Sequence, residues 1–309
     1  MSNNNHDEPP PLPSPSSHSP TQPTQSTLIT KEDVKIYKGK YFLPWYCPVQ
    51  QADYTYTPKG PPKKVIVLDL DETIGSFPDL YIVWSGLRHG CKDPKAFSHL
   101  CELYPEFFRY GIITILEYLY ARKLQKECHN IFIYTNNQCP GKWVSLIAHY
   151  LDQKVRSSYR KPPKVPLFDK IIGAFKINNR PFETSRTSHL KKMDDFLRCS
   201  LVSENAEICF VDDVDFPAMK SAKVYYINPR PYYHDLRTST IINRISKAPW
   251  VPEGILRSEA FWKDWFSIKL YKLGRKKPYK KRRSEVILDL QISQKMIYHL
   301  KEFLQWGGT

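Results

Sequence analysis

The apolar residues Val65 to Leu68 run without a break into Asp69-Leu70-Asp71-Glu72-Thr73. Such a run has no solvated face, so as a strand it must be covered on both sides, as parallel strands are inside an α/β sheet. Carboxylates resist burial unless something compensates their charge. The carboxyl end of a strand, where open α/β sheets hold their ligands, is the place that supplies such compensation.

The pattern recurs along the chain. Segments 64–71, 130–137, 170–177, 207–213 and 223–229 read as strands, and 113–124, 141–155 and 188–198 as helices between them. Strands alternating with helical segments predict an α/β fold with a mainly parallel central sheet over residues 62–235. Within it, 76–110 has Cys, His and aromatic residues but no clear period, and is expected to form an insertion over the active face. Residues 1–30 hold seven prolines and six serines and almost no large apolar side chains, which predicts a disordered tail. Residues 31–61, with Tyr41, Phe42, Trp45 and Tyr46, read as an arm packed on the main body. The C-terminal part, 236–309, reads as a helical extension around the basic run 274–283. In 284–306, Ile287, Leu290, Ile297, Leu300 and Leu304 recur at helical spacing and are expected to face the protein's own core.

Charge is spread unevenly. Of the formal +15, residues 236–309 supply +10, with 16 basic against 6 acidic side chains. That asymmetry suits a nucleic acid or an acidic partner at 274–283, and equally a nuclear import signal or plain solubility. Ser14-Pro15 and Ser19-Pro20 resemble sites for proline-directed kinases. The seven cysteines are scattered and never form a C-x-x-C pair, so neither a zinc site nor a disulfide framework is predicted. No stretch is long and apolar enough for a membrane span. The expectation is an intracellular protein, cytoplasmic or nuclear, with no membrane partner.

Four clusters stand at or near strand ends in the order D-x-D-x-T, T, K, DD: Asp69 and Asp71, Thr135, Lys191-Lys192, and Asp212-Asp213. Each alone has a plainer explanation: a strand-end turn, a cap, a solvated helix face, an N-cap. Together they fit phosphoryl transfer. Asp69 would attack phosphorus and form an acyl phosphate. Asp71 would protonate the departing alkoxide and then deprotonate water. Thr135 and a lysine would hold the phosphoryl oxygens. Acids so crowded call for a hard cation, and Mg²⁺ suits oxygen ligands from Asp69, a backbone carbonyl near Asp71, and Asp212 or Asp213.

VIVLDLDET, with the later IYT, the lysine and FVDD, resembles the haloacid dehalogenase (HAD) superfamily. The glutamate of DLDET is similar to the branch of C-terminal-domain phosphatases and NLI-interacting-factor-like phosphatases. The resemblance covers about residues 62–230. It implies a Rossmann-like three-layer core, Mg²⁺ dependence, and activity on phosphoserine or phosphothreonine in proteins, notably the C-terminal repeat of RNA polymerase II. Carried over, it makes Asp69 the nucleophile, Asp71 the acid/base, Thr135 and Lys191 phosphate ligands, and Asp69, Asp71, Asp212 and Asp213 the metal site. Asp-Asp stands where the branch often has Asp-Asn, and Thr-Asn where it often has Thr-Ala. Segments 76–110 and 153–169 differ from its usual substrate-contacting insertion. Alternatives are a related phosphatase acting on nucleic-acid ends or a small phosphomonoester, and an inactive scaffold that binds phosphoprotein.

Overall fold

The computed structural model describes residues 29–43, 62–140, 142–273 and 281–305, with the side chains of 271–273 excepted. Nearly all of the expected disordered tail, the arm beyond residue 43 and most of the basic run lie outside the described residues. The strands are β1 (Val34–Lys38), β2 (Lys64–Leu68), β3 (Asn130–Tyr134), β4 (Lys170–Ile172), β5 (Lys176–Ile177), β6 (Arg180–Pro181), β7 (Glu207–Val211) and β8 (Val224–Pro229). The helices are α1 (Pro78–Leu87), α2 (Ala96–Leu103), α3 (Ile112–Leu124), α4 (Trp143–Arg156), α5 (Met193–Ser200), α6 (Thr238–Lys247), α7 (Glu259–Leu273) and α8 (Arg283–Gln305).

A six-stranded sheet runs in the order β1-β8-β7-β2-β3-β4, parallel throughout except for β1, and β5-β6 forms a separate hairpin. This is a mixed α/β architecture of Rossmann-like kind. Along β2, Ile66 and Leu68 enter one core while Val65 and Val67 enter the other, so a continuous apolar run is what the position demands. The chain proceeds from β2 outward to β3 and β4, then returns to the opposite side of β2 for β7 and β8. The switch in direction therefore falls between β2 and β7, and the crevice beyond their carboxyl ends is the natural ligand site of such a sheet.

Several expectations are corrected. Within 31–61, residues 34–38 form an edge strand not foreseen from the sequence, antiparallel to β8 with Ile36 opposite Ile227, and Phe42 is buried in the larger core. The expected strand 170–177 stops at Ile172. The chain leaves the sheet at Gly173, where an added Cβ would lie 2.6 Å from the Phe182 ring. It then turns back through Asn178 and Asn179, both at positive φ (50° and 61°), as a two-residue hairpin requires. The helix expected at 188–198 starts only at Met193, because Lys192 is extended (φ −134°, ψ 148°). Segment 76–110 is largely helical, in α1 and α2, and packs into the larger core. Its period was hidden because α1 is apolar nearly all round, as a helix buried among others is.

The helices of 236–309 are also part of that larger core, through Ile241, Ile245, Trp262 and Phe266, and Trp265 Nε1 donates to Ile82 O at 3.0 Å. In α8 the buried stripe is Leu288, Ile292, Met296, Leu300, Phe303 and Leu304, whereas Ile287 and Leu290 are 42% and 45% exposed. The expected stripe was thus out of phase at its first two positions. Among the described residues no helix is long and apolar enough to cross a membrane. Ile292→Ala is expected to lower stability by about 2–5 kcal/mol, whereas Leu290→Ala changes it by less than about 1 kcal/mol; paired urea denaturation curves check the register.

Candidate active site and metal centre

The chain leaves β2 at Asp69, whose N–H still pairs with Val211 O at 2.9 Å. It then turns sharply: the Ile74 N–H donates to Leu70 O at 2.9 Å, and the Glu72 N–H to Gly75 O at 2.7 Å. Glu72 sits at φ 58°, in the left-handed region that side chains disfavour, so the turn must be held from outside. Gly75 is required because a Cβ there would lie 2.5 Å from Phe107 O. Thr73, the last residue of D-x-D-x-T, donates from Oγ1 to Asp213 Oδ1 at 2.8 Å and accepts from Asp213 N at 2.9 Å. That reciprocal pair ties the loop after β2 to the loop after β7.

These loops, with the one after β3, surround a cavity of about 190 Å³. Every predicted site residue lines it: Asp69, Asp71, Thr135, Lys191, Asp212 and Asp213, joined by Glu72, Asn136, Asn137, Val214 and Phe216. Nothing from 76–110 lines it. Of the two candidate lysines, Lys191 is the one brought in. In the extended segment before α5, neighbouring side chains point opposite ways. Lys191 is buried, with Nζ donating to Asp69 Oδ1 and, at 2.5 Å, to Asp212 Oδ2, while Lys192 does not line the cavity.

Four aspartates thus face one ammonium. Burial raises the Asp69 carboxyl, with Lys191 pulling against it. Burial, reinforced by the Asp69 charge, pushes Asp71 up to about 7, and Asn137 opposes it. Burial takes Asp212 to about 8 despite Lys191, and burial together with Asp69 takes Asp213 to about 6. Burial disfavours the Lys191 ammonium too, but Asp69 and Asp212 outweigh it and raise its pKa. The carboxyl groups outnumber the one ammonium, so a bound cation would favour their ionised forms.

One oxygen each from Asp69, Asp212 and Asp213 lies within 4.8 Å of the others. Ligand oxygens around an octahedral Mg²⁺ at about 2.1 Å would be about 3 to 4.2 Å apart, so small shifts close the trio on a divalent ion. The Asp71 carboxylate is not in this trio. It accepts from Asn137 Nδ2 at 2.8 Å.

Two buried arginines, not singled out from the sequence, hold the loops from behind. Arg109 donates from Nε to Thr73 O at 2.6 Å, and from Nη2 to Glu72 O at 2.6 Å and Arg230 O at 2.9 Å, with its guanidinium 5.4 Å from the Tyr232 ring centroid. Arg186 donates to Thr135 O at 3.1 Å, Gly173 O at 2.8 Å and Asn136 Oδ1 at 2.8 Å. A lone arginine inside the aromatic stretch Phe107-Phe108-Arg109-Tyr110 was a legible signal, because a charge in such company must find acceptors. Arg186 lies among Thr and Ser and gave none.

Comparison of the chain with protein-family models, with curated proteins and with solved structures finds no match.

Raised carboxyl pKa values have a stability consequence. Asp71, Asp212 and Asp213 hold protons in the fold that the unfolded chain, with carboxyls near pH 4, has released. Their contribution is therefore complete below about pH 4 and is lost as pH climbs through about 6 to 8. Thermal denaturation in EDTA is expected to show Tm falling from about pH 5.5 to about pH 8. A divalent cation should raise Tm more at the higher pH, where the carboxylates are free to bind it.

Proposed function

We propose that the chain is a Mg²⁺-dependent phosphomonoesterase of the HAD kind, a protein serine/threonine phosphatase working through an aspartyl phosphate. The observation that carries this is the convergence of Asp69, Asp71, Thr135, Lys191, Asp212 and Asp213 on one cavity at the switch point of the sheet.

In the first step an Asp69 oxygen bonds to phosphorus as the bond from phosphorus to the serine or threonine oxygen breaks. Asp71, protonated, gives its proton to that leaving oxygen. In the second, Asp71 as carboxylate takes a proton from water while the water oxygen attacks phosphorus. The bond to Asp69 breaks, inorganic phosphate leaves, and both carboxyl groups return to their starting forms. An Asp71 pKa near 7 suits a group that must be acid and base in turn. Lys191 and the Thr135 hydroxyl supply fixed positive charge and a hydrogen bond for the equatorial oxygens, where charge accumulates. Mg²⁺, held by Asp69, Asp212 and Asp213, would offset the repulsion between the phosphoryl group and the acids.

A seryl or threonyl substrate suits the site because an alkoxide is a poor leaving group, which makes a positioned acid such as Asp71 worth having. A phosphoserine-proline peptide with the sequence pattern of the RNA polymerase II C-terminal repeat is the first substrate to try. Hydrolysis is expected with Mg²⁺ and to disappear in EDTA, and Asp69→Asn should lower kcat at least about 10³-fold. Wild-type activity in Asp69→Asn would eliminate this nucleophile. An inert wild type on every phosphomonoester offered would favour a scaffold instead.

A further inference from the structure

We propose that Asn137 is a positioning residue that fixes the donor and acceptor roles of both Asp71 and Thr135, and so aims the proton transfer to the leaving group. This rests on the phosphatase reading above and extends it.

The orientation of the Asn137 amide is settled by its surroundings. Its Oδ1 accepts from the Cys139 N–H at 2.9 Å, and a backbone N–H can only donate. The amide nitrogen is therefore the end turned to Asp71, where Nδ2 donates to Oδ2 at 2.8 Å. A carboxamide NH₂ has hydrogens to give and nothing to accept with. Asp71 Oδ2 is thereby kept as an acceptor, and the proton that Asp71 gains sits on Oδ1. The same residue's backbone N–H donates to Thr135 Oγ1 at 3.0 Å. That commits a lone pair of the hydroxyl, so the Thr135 hydrogen is available to a phosphoryl oxygen.

Asn137 in turn is held on a fixed frame. Thr135 closes β3 with its N–H on Ile172 O at 3.0 Å, and Arg186 clamps the Thr135 carbonyl and the Asn136 side chain. The carboxyl that moves the proton and the hydroxyl that holds the phosphate thus take their directions from one side chain and its own backbone. Alanine in the same place would leave the Thr135 contact and remove the Asp71 contact. Aspartate would retain an oxygen for Cys139 but present an acceptor to an acceptor.

The test uses kcat/KM, which reports only the steps up to loss of the leaving group, on two substrates. A phosphoserine peptide leaves as an alkoxide and needs the Asp71 proton. p-Nitrophenyl phosphate leaves as a stable phenolate and does not. For Asn137→Ala the peptide value is expected to fall about 10- to 100-fold and the p-nitrophenyl value to stay within about threefold, and for Asn137→Asp the peptide loss is at least as large. Retained aryl phosphatase activity shows that the fold and Asp69 are intact. Equal losses on both substrates, or no loss on the peptide, overturn the role given to Asn137 while leaving the phosphatase reading standing. A wild type that turns over neither substrate removes that reading, and this inference with it.

Discussion

One ammonium stands between the carboxylates that the sheet delivers. Lys191 bridges Asp69 after β2 and Asp212 after β7, while Asp71 and Asp213 share the field of the same ammonium without a hydrogen bond to it. Left alone, such a group would push its loops apart or protonate. The fold opposes the first outcome by anchoring the backbones instead of the side chains. Arg109 grips the carbonyls of Glu72 and Thr73, Asn228 Nδ2 holds Asp212 O at 2.7 Å, and Arg186 grips Thr135. Positive groups thus lie both in front of the acids and behind the turns that present them. Burial that is unfavourable for each carboxylate is what gives the cluster its appetite for a cation.

What the sequence disclosed and what it hid follow from the range of the forces involved. Strands β2, β3, β7 and β8 were legible because a strand covered on both faces writes its burial into consecutive residues. The site was legible for the same reason, since Asp69, Thr135 and Asp212 each come directly after such a run. Elements fixed by distant partners were not. Strand β1 is short and only partly buried, and its place depends on β8, nearly two hundred residues away. Helix α1 conceals its period because other helices cover almost all of it. The phase of α8 was misjudged at Ile287 and Leu290 because its buried face also carries polar residues, Asp289, Ser293 and His299, which answer to partners elsewhere. Asp289 pairs with Lys281, Ser293 Oγ donates to Tyr110 O, and His299 Nδ1 meets Tyr225 Oη at 2.7 Å.

The two faces of the sheet are unequally covered. Helices α1 to α4 and α6 to α8 share one core, while the other is closed mainly by α5 through Phe196 and Cys199, with Met219 beside them. Lys191 reaches the cavity from the thinner side, on the segment just before α5. Its Nζ is 5.5 Å from the Tyr134 ring centroid and 5.4 Å from that of Phe216, so the cation is surrounded by aromatic faces as well as acids. The helix-rich side supplies rigidity to the loops, and the thinner side supplies the cavity's ammonium.

The antiparallel edge has a consequence for how the molecule comes into being. β1 pairs with β8, and Lys38 on β1 forms an ion pair with Glu302 on α8. β1 therefore waits for partners made nearly two hundred residues later in β8 and 264 residues later in α8. Contacts of such long sequence separation are slow to form, because a large loop must close before any of them is rewarded. During synthesis the apolar face that α8 covers is completed only when α8 has emerged. The loops that line the cavity, after β2, β3 and β7, all precede α8 in the chain.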